Sequence, residues 1–314
     1  MADITFPDHF TKTANDIRTM RTRGAGKIAR TAAKAIADLA NSYKSDDLKK
    51  FKSYLDHGAK HLLNTRPSAI SLKNALRLTL GKASGQTVQD LKKNLTKISE
   101  DFIAHSLKAV DLVGQHGSKI IHDQDPLLTH CHSSASTSVL IHAHEQGKRI
   151  KVFATETRPW NQGHITVREL AQKGLYVTLI VDSAVRFIIK DENIKAVFVG
   201  ADTIHSDGSV INKIGTSQIA LVAHEAGIPF YVCAETYKFS PDSLRGELVE
   251  IEERDISEIA DPKDFPKVRF RNPVFDITPA EYVQAIITER GIISPADVQE
   301  IIKEKFKEVE EWSL

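Results

Sequence analysis

Leu127-Leu128-Thr129-His130-Cys131-His132-Ser133-Ser134-Ala135 decides the fold. A short apolar run ends in polar residues, and a helical stretch near 134–146 follows at once. The change recurs downstream. Apolar runs at 150–154, 176–181, 196–199 and 229–233 alternate with helical stretches near 161–173, 183–190 and 216–226. Strand and helix in alternation predict a parallel sheet with helices on both faces, a doubly wound α/β fold. The strands are apolar along their whole length, which fits burial on both sides.

Polar residues follow each run: Cys131 and Ser133, Glu156 and Arg158, Asp182 and Ser183, Asp202, then Glu235 and Lys238. In a parallel sheet these positions share one edge, and open α/β sheets bind ligands outside that carboxyl edge. Any one of them is equally well read as a helix cap. Five in register point to a site.

Upstream, residues 1–118 read as a helical domain almost free of strand signals, and 119–314 as the sheet domain. Ile17, Met20, Ile28, Ala32, Ile36 and Leu39 follow a helical period broken near Arg23-Gly24-Ala25-Gly26. Further helices are expected around 48–63, from Ser68 through Leu80, and over 88–112 as one long helix or two shorter ones. Beyond Lys238, Leu248–Glu252 reads as a strand. Thr278-Pro279-Ala280-Glu281 reads as a capping box opening a helix through Ile287, and Ser294-Pro295-Ala296-Asp297 as another reaching about Glu311.

The chain has 314 residues, with 42 Lys plus Arg against 41 Asp plus Glu. A general nucleic-acid binder needs a cationic surplus that is missing here. The two cysteines, Cys131 and Cys233, fit a reduced, cytoplasmic setting better than a disulfide framework. The N-terminus lacks a signal-peptide pattern, and no apolar run reaches the ~18 residues of a membrane span.

Candidate site residues come from these blocks. Arg23-Gly24-Ala25-Gly26 offers a backbone that can approach an anion at a helix start, although a kink with a solvated basic face explains it as well. Arg66 suits bidentate phosphate recognition, or is a surface loop arginine. Cys131, between a strand and a helix N-terminus, can have a lowered pKa and act as base or nucleophile; a buried space-filler is the plain alternative. Residues alternating on a strand would put His130 and His132 opposite Cys131, against a shared metal. Ser133-Ser134-Ala135 supplies hydroxyls and backbone donors. Asp202 is a candidate acid or base, Asn212 and Lys213 candidate ligands of polar groups.

In this order and spacing, Arg23-Gly24-Ala25, Thr129-His130-Cys131, Thr155-Glu156-Thr157-Arg158-Pro159, Gly200-Ala201-Asp202 and Asn212-Lys213-Ile214-Gly215-Thr216 resemble one family. It unites aldose-phosphate isomerases with the alpha, beta and delta subunits of translation initiation factor 2B. The likeness covers nearly the whole chain, and the sequence departs from the isomerase pattern at His132, where Asn is usual. The regulatory subunits generally lack the Cys and Asp that stand here as Cys131 and Asp202. The resemblance therefore implies an isomerase, with a site between the domains at the sheet's carboxyl edge. It implies conversion of α-D-ribose 1,5-bisphosphate to D-ribulose 1,5-bisphosphate in archaeal nucleoside-monophosphate degradation. Cys131 is the implied base and Asp202 the acid. Arg23-Gly24-Ala25-Gly26, Arg66, Ser133-Ser134-Ala135 and Lys238 would hold the phosphates, and Asn212-Lys213 the sugar. It further implies AMP as an allosteric activator, no metal or redox cofactor, and a hexamer built as a trimer of dimers. The methylthioribose-1-phosphate branch and a non-enzymatic regulatory subunit are the alternatives.

Overall fold

The computed structural model describes residues 5–307 and 309, and the predicted end of the last helix near Glu311 lies outside them. The chain forms two compact units. One runs to Lys108 and includes the C-terminal residues from Ile302; the other is Ala109–Ile301. One division falls inside the long helix Val88–Gly117 and the other inside the last helix, Val298–Phe306.

The first unit is helical among its described residues. It comprises α1 (Asp8–Arg18), α2 (Ala25–Ser42), α3 (Leu48–Leu63), α4 (Ile70–Leu80) and the first part of α5 (Val88–Gly117). Asp47 caps α3, its carboxylate accepting from the Lys50 N–H at 3.0 Å. Phe10, Ile17, Ile36, Leu39, Phe51, Leu62, Leu72 and Leu76 form one buried cluster, so the helical period of the sequence is the core-facing stripe. The break expected near 23–26 is present: Gly24, at φ 84°, precedes α2.

The second unit follows the alternation. Its elements are β1 (Pro126–His130), α6 (Ser134–Glu145), β2 (Lys151–Thr155), α7 (Gly163–Gln172), β3 (Tyr176–Ile180), α8 (Val185–Asp191), β4 (Ala196–Gly200), β5 (Thr203–Ile204), β6 (Val210–Lys213), α9 (Thr216–Glu225), β7 (Phe230–Cys233), β8 (Phe275–Thr278), β9 (Ala285–Thr288) and β10 (Gly291–Ile293); α10 (Val298–Phe306) begins in it. The main sheet has the order β10-β9-β7-β4-β1-β2-β3, and only the β9–β10 pair is antiparallel. Leu127, Val139, Leu140, Val152, Leu170, Phe198, Cys233 and Ile287 form its core. A smaller antiparallel sheet has the order β5-β6-β8.

From β1 the chain lays down β2 and β3 on one side, then crosses to build β4, β7 and β9 on the other. The connections diverge between β1 and β4, which opens a crevice at their carboxyl ends.

Two expectations fail. Leu248–Glu252 is not a strand: Leu248 is exposed, and the nearest pairing is a single bridge from Glu253 to Pro273. Val249 and Ile251 instead rest on Ile211, Val274 and Phe275, so their alternation records the covering of the small sheet. Thr278–Ile287 is not a helix either. Thr278 ends β8, Pro279 is extended at ψ 144°, and one 3-10 turn, Ala280–Tyr282, leads into β9. The β-branched Val283, Ile286, Ile287 and Thr288 favour the slot beside β7, where Ile286 and Ile287 are fully buried.

Candidate active site

The crevice lies between Cys131, just past β1, and Asp202, just past β4. Gly200 closes β4 beside Ser133: a β-carbon there would stand 2.3 Å from the Ser133 hydroxyl oxygen, so the close approach requires glycine. Ser133 is the N-cap of α6, its hydroxyl accepting from the Ser136 N–H at 3.4 Å. Ser134 and Ala135 open the helix, Ser134 exposed and Ala135 buried.

Cys131 has φ 66°, left-handed backbone uncommon outside glycine. Thr157 past β2 has φ 64°, rarer still for a β-branched residue. The two are bonded: the Cys131 N–H donates to the Thr157 hydroxyl at 2.9 Å. The Thr166 hydroxyl of α7 donates to the Cys131 carbonyl at 2.8 Å. Asp182 past β3 accepts the Thr157 N–H at 2.8 Å and the Arg158 N–H at 2.7 Å. Such backbone costs ~1–3 kcal/mol per residue and persists only where its surroundings fix it, as these bonds do.

His130 is buried at the end of β1. One ring nitrogen, Nδ1, lies 2.6 Å from the Thr155 hydroxyl, and Nε2 lies 2.9 Å from the Ile214 carbonyl. A carbonyl only accepts, so Nε2 carries the hydrogen and Nδ1 takes the Thr155 proton. Burial drives the ring pKa down to about 4, against the pull of Asp182, and keeps it neutral. His130 thus ties the end of β1 to the turn after Lys213. His132 goes elsewhere, toward the Thr166 hydroxyl and the Glu169 carboxylate, at 3.2 and 3.7 Å. Strand alternation does not keep His130 and His132 on one side as expected, because the strand ends at His130.

The thiol of Cys131 is not lowered as its place before a helix predicts. Burial pushes it up to about 11. Lys213 and the His132 N–H pull it down, and Asp202 and Asp182 push it up. Cys131 therefore rests as a thiol, within electrostatic reach of Lys213, Asp202 and Asp182.

Lys213 and Asn212 end β6, both buried. The Lys213 ammonium lies 5.2 Å from the Phe275 ring centroid, and the Asn212 amide donates to the Thr216 hydroxyl at 3.0 Å. Asp276, opposite Asn212 on β8, accepts the Gly215 N–H at 2.7 Å and the Ser217 N–H at 3.1 Å, capping α9. Burial raises its carboxyl to about 6, against the pull of those N–H groups and Lys213.

Lys238 is buried past β7 and ion-paired with Glu235 at 2.8 Å. Burial works to raise the Glu235 carboxyl, but Lys238 and the Tyr237 hydroxyl, at 2.8 Å, hold it below its usual range. The strand-end pattern places Glu235 and Lys238 at the same edge but does not show their pairing, and the phosphate role of Lys238 is what the family resemblance implies.

In the helical unit, Arg23 and Arg66 meet on Met20. The Arg23 Nε donates to the Met20 carbonyl at 2.8 Å, and the Arg66 Nη1 approaches the Met20 sulfur at 2.6 Å. Arg66 is buried, which a surface loop arginine would not be. Gly24 faces open space, and Ala25 and Gly26 form the first turn of α2.

The sequence reading passed over Asn161 and Gln162, between β2 and α7. Their buried side-chain oxygens have no hydrogen-bond partner among the described residues. Two amides before a glycine, beside a strand end already holding site residues, were the signal available.

Comparisons with known proteins agree with this architecture. The chain matches the Initiation factor 2 subunit family over residues 21–295. It is 49% identical over 294 residues to a ribose 1,5-bisphosphate isomerase of Archaeoglobus fulgidus, covering 93% of this chain and 92% of that protein. It is 45% identical over 300 residues to one of Methanocaldococcus jannaschii, covering 95% and 96%. A crystal structure of translation initiation factor eIF-2B from Pyrococcus horikoshii superposes with a TM-score of 0.79 at 33% identity, covering 92% of this chain and 98% of that one. The chain belongs to the initiation factor 2 subunit family.

Proposed function

We propose that the protein is an aldose–ketose isomerase that converts α-D-ribose 1,5-bisphosphate to D-ribulose 1,5-bisphosphate. The observation that carries this reading is the meeting of Cys131 and Asp202 at the divergence of β1 and β4, within reach of Lys213. The names of the archaeal relatives supply the substrate.

A sugar phosphorylated at C1 has no free aldehyde, so the ring opens first. The C1–O4 bond breaks as O4 takes a proton. Loss of the C2 proton leaves an enol phosphate. A proton then reaches C1 while the proton on O2 departs, leaving the ketone. Two protons are taken up and two given back, so the reaction is redox-neutral and consumes no oxidant or reductant. Cys131 exchanges protons at C2 and C1, Asp202 at O4 and O2. Cys131 rests as a thiol. Passing its proton to Asp202 yields the thiolate and acid that the first step needs, and Lys213 favours that transfer by charge. Asn212 and Lys213 hold the sugar. Arg23, Gly24, Ala25, Gly26, Arg66, Ser133, Ser134, Ala135 and Lys238 supply the phosphate sites, Lys238 by exchanging Glu235 for phosphate oxygen.

Activation by AMP and assembly as a trimer of dimers extend this reading. AMP rests on the resemblance alone. Contact between copies is supported by exposed Tyr176, Leu179 and Val181 on and just after the edge strand β3 and by exposed Phe187 on α8; the trimer of dimers rests on the resemblance.

The test is to incubate purified protein with ribose 1,5-bisphosphate, with and without AMP, and detect ribulose 1,5-bisphosphate. Methylthioribose 1-phosphate lacks the 5-phosphate and ribose 5-phosphate the 1-phosphate, so both are expected to be poor substrates. Comparable kcat/KM for methylthioribose 1-phosphate overturns the substrate assignment, and no turnover of any of the three overturns the enzymatic one.

A further inference from the structure

Three neighbouring strand ends are chained together along the carboxyl edge. Asp182 past β3 takes the N–H groups of Thr157 and Arg158 past β2 at 2.8 and 2.7 Å. The Thr157 hydroxyl, fully buried, takes the N–H of Cys131 past β1 at 2.9 Å. The same hydroxyl lies 3.3 Å from both the carbonyl and the hydroxyl of Thr155, whose hydroxyl serves His130.

The bond is unusual in what it joins. Both Thr157 and Cys131 hold left-handed backbone, at φ 64° and 66°. Neither residue type adopts it readily, and Thr is β-branched. Hydrogen bonds reach the Cys131 peptide groups from two sides, from Thr157 on its N–H and Thr166 on its carbonyl. A buried cysteine that only filled space would need no such fixing.

We propose that Thr157, gripped by Asp182, is a positioning residue for Cys131: its hydroxyl fixes the turn that sets the sulfur's distances to Lys213 and Asp202. This rests on the reading of Cys131 as the base. A proton transferred between sulfur and carbon has a narrow range of productive geometries, and ~1 Å of misplacement can cost about a hundredfold in rate. The charged groups acting on the sulfur are Lys213, Asp202 and Asp182, and a relaxed turn changes its distance to each.

Thr157→Val keeps the branched shape and removes the hydroxyl; Thr157→Ser keeps the hydroxyl. Two readouts are taken on each. One is kcat and KM for ribose 1,5-bisphosphate. The other is the pH profile of iodoacetamide alkylation at Cys131, with Cys131→Ser as the blank. Thr157→Val is expected to lower kcat by about ten- to a hundredfold with KM changed less than about threefold, and to displace the alkylation profile. Thr157→Ser is expected to stay within about threefold of wild type on both. Wild-type kcat and profile in Thr157→Val overturn the proposal. So does equal loss in both variants with a lowered Tm, which marks the hydroxyl as irrelevant and the site as merely structural. The alkylation profile needs no turnover. An active Cys131→Ser therefore removes the base reading, while an undisplaced profile in Thr157→Val removes the link itself.

Discussion

The two cysteines stand at the carboxyl ends of parallel strands in one sheet and have opposite surroundings. Cys233 is the last residue of β7, fully buried and in register with Gly200 on one side and Ile287 on the other. Cys131 comes one residue after β1 has ended, half-buried and left-handed, with each peptide group held by a threonine. Burial pushes both thiols up. The cation acting on Cys233, Lys238, is paired with Glu235, whereas Lys213 pulls the Cys131 thiol down and two carboxylates, Asp202 and Asp182, push it up. A thiol becomes chemically useful past the end of the ladder, and remains a small hydrophobe while still within it.

The sharpest way to break the comparison is to replace each sulfur by oxygen. Cys131→Ser is expected to lose turnover on the order of 10³-fold or more, because a hydroxyl is a far weaker base than a thiolate. Cys233→Ser is expected to keep kcat near wild type. Equal kinetic effects would erase the distinction.

Asp202→Asn comes next, with an expected loss of about 10²–10⁴-fold in kcat and an unchanged Tm. It also carries a pH signature. Asp202 raises the Cys131 thiol, so neutralising it should move alkylation of Cys131 to lower pH. A fixed profile would mean that the two groups do not communicate.

The lysine beside the quiet cysteine behaves differently from the arginine of the helical unit. Lys238→Ala and Arg66→Ala should each lower kcat/KM by about ten- to a hundredfold. Lys238→Ala also strands Glu235 as a buried charge and should cost ~3–5 kcal/mol of stability. Adding Glu235→Gln should restore part of that stability, read by denaturant unfolding, without restoring catalysis. The smallest effect is the stability cost of Cys233→Ser, ~1–3 kcal/mol for a hydroxyl in an apolar slot.

How much of this was legible in the sequence divides by the range of the forces involved. The alternation from Leu127 to Cys233 marks five strands within one residue or so of their ends, because burial on both faces writes an apolar run in β1, β2, β4 and β7; β3, at the sheet's edge, is apolar too but leaves Tyr176 and Leu179 exposed. The β5–β6 hairpin, β8 and the β9–β10 pair were missed. Val210–Lys213 carries two polar residues, and Ala285–Thr288 follows a proline cap signal that its β-branched residues override. At the site, Cys131 and Asp202 were visible as residue types at strand ends, and Asn212 and Lys213 as polar residues in the block that follows the Asp207-Gly208 turn. The Glu235–Lys238 pair, the meeting of Arg23 and Arg66 on Met20, and the raised Cys131 thiol were not. Each depends on which atoms face each other after folding, and spacing along the chain carries no record of that.

The capping of α9 by Asp276 has a consequence for the range of ligands this sheet can take. In many α/β proteins a helix start beside the sheet is where a nucleotide lays its phosphates, drawn by unpaired N–H groups. Here that berth has a permanent tenant: the Asp276 carboxylate holds the N–H groups of Gly215 and Ser217. A dianion arriving at α9 would meet a buried acid, so the end of β6 selects for what Asn212 and Lys213 can grip, hydroxyls and single oxygens, and turns away the pyrophosphate of a dinucleotide.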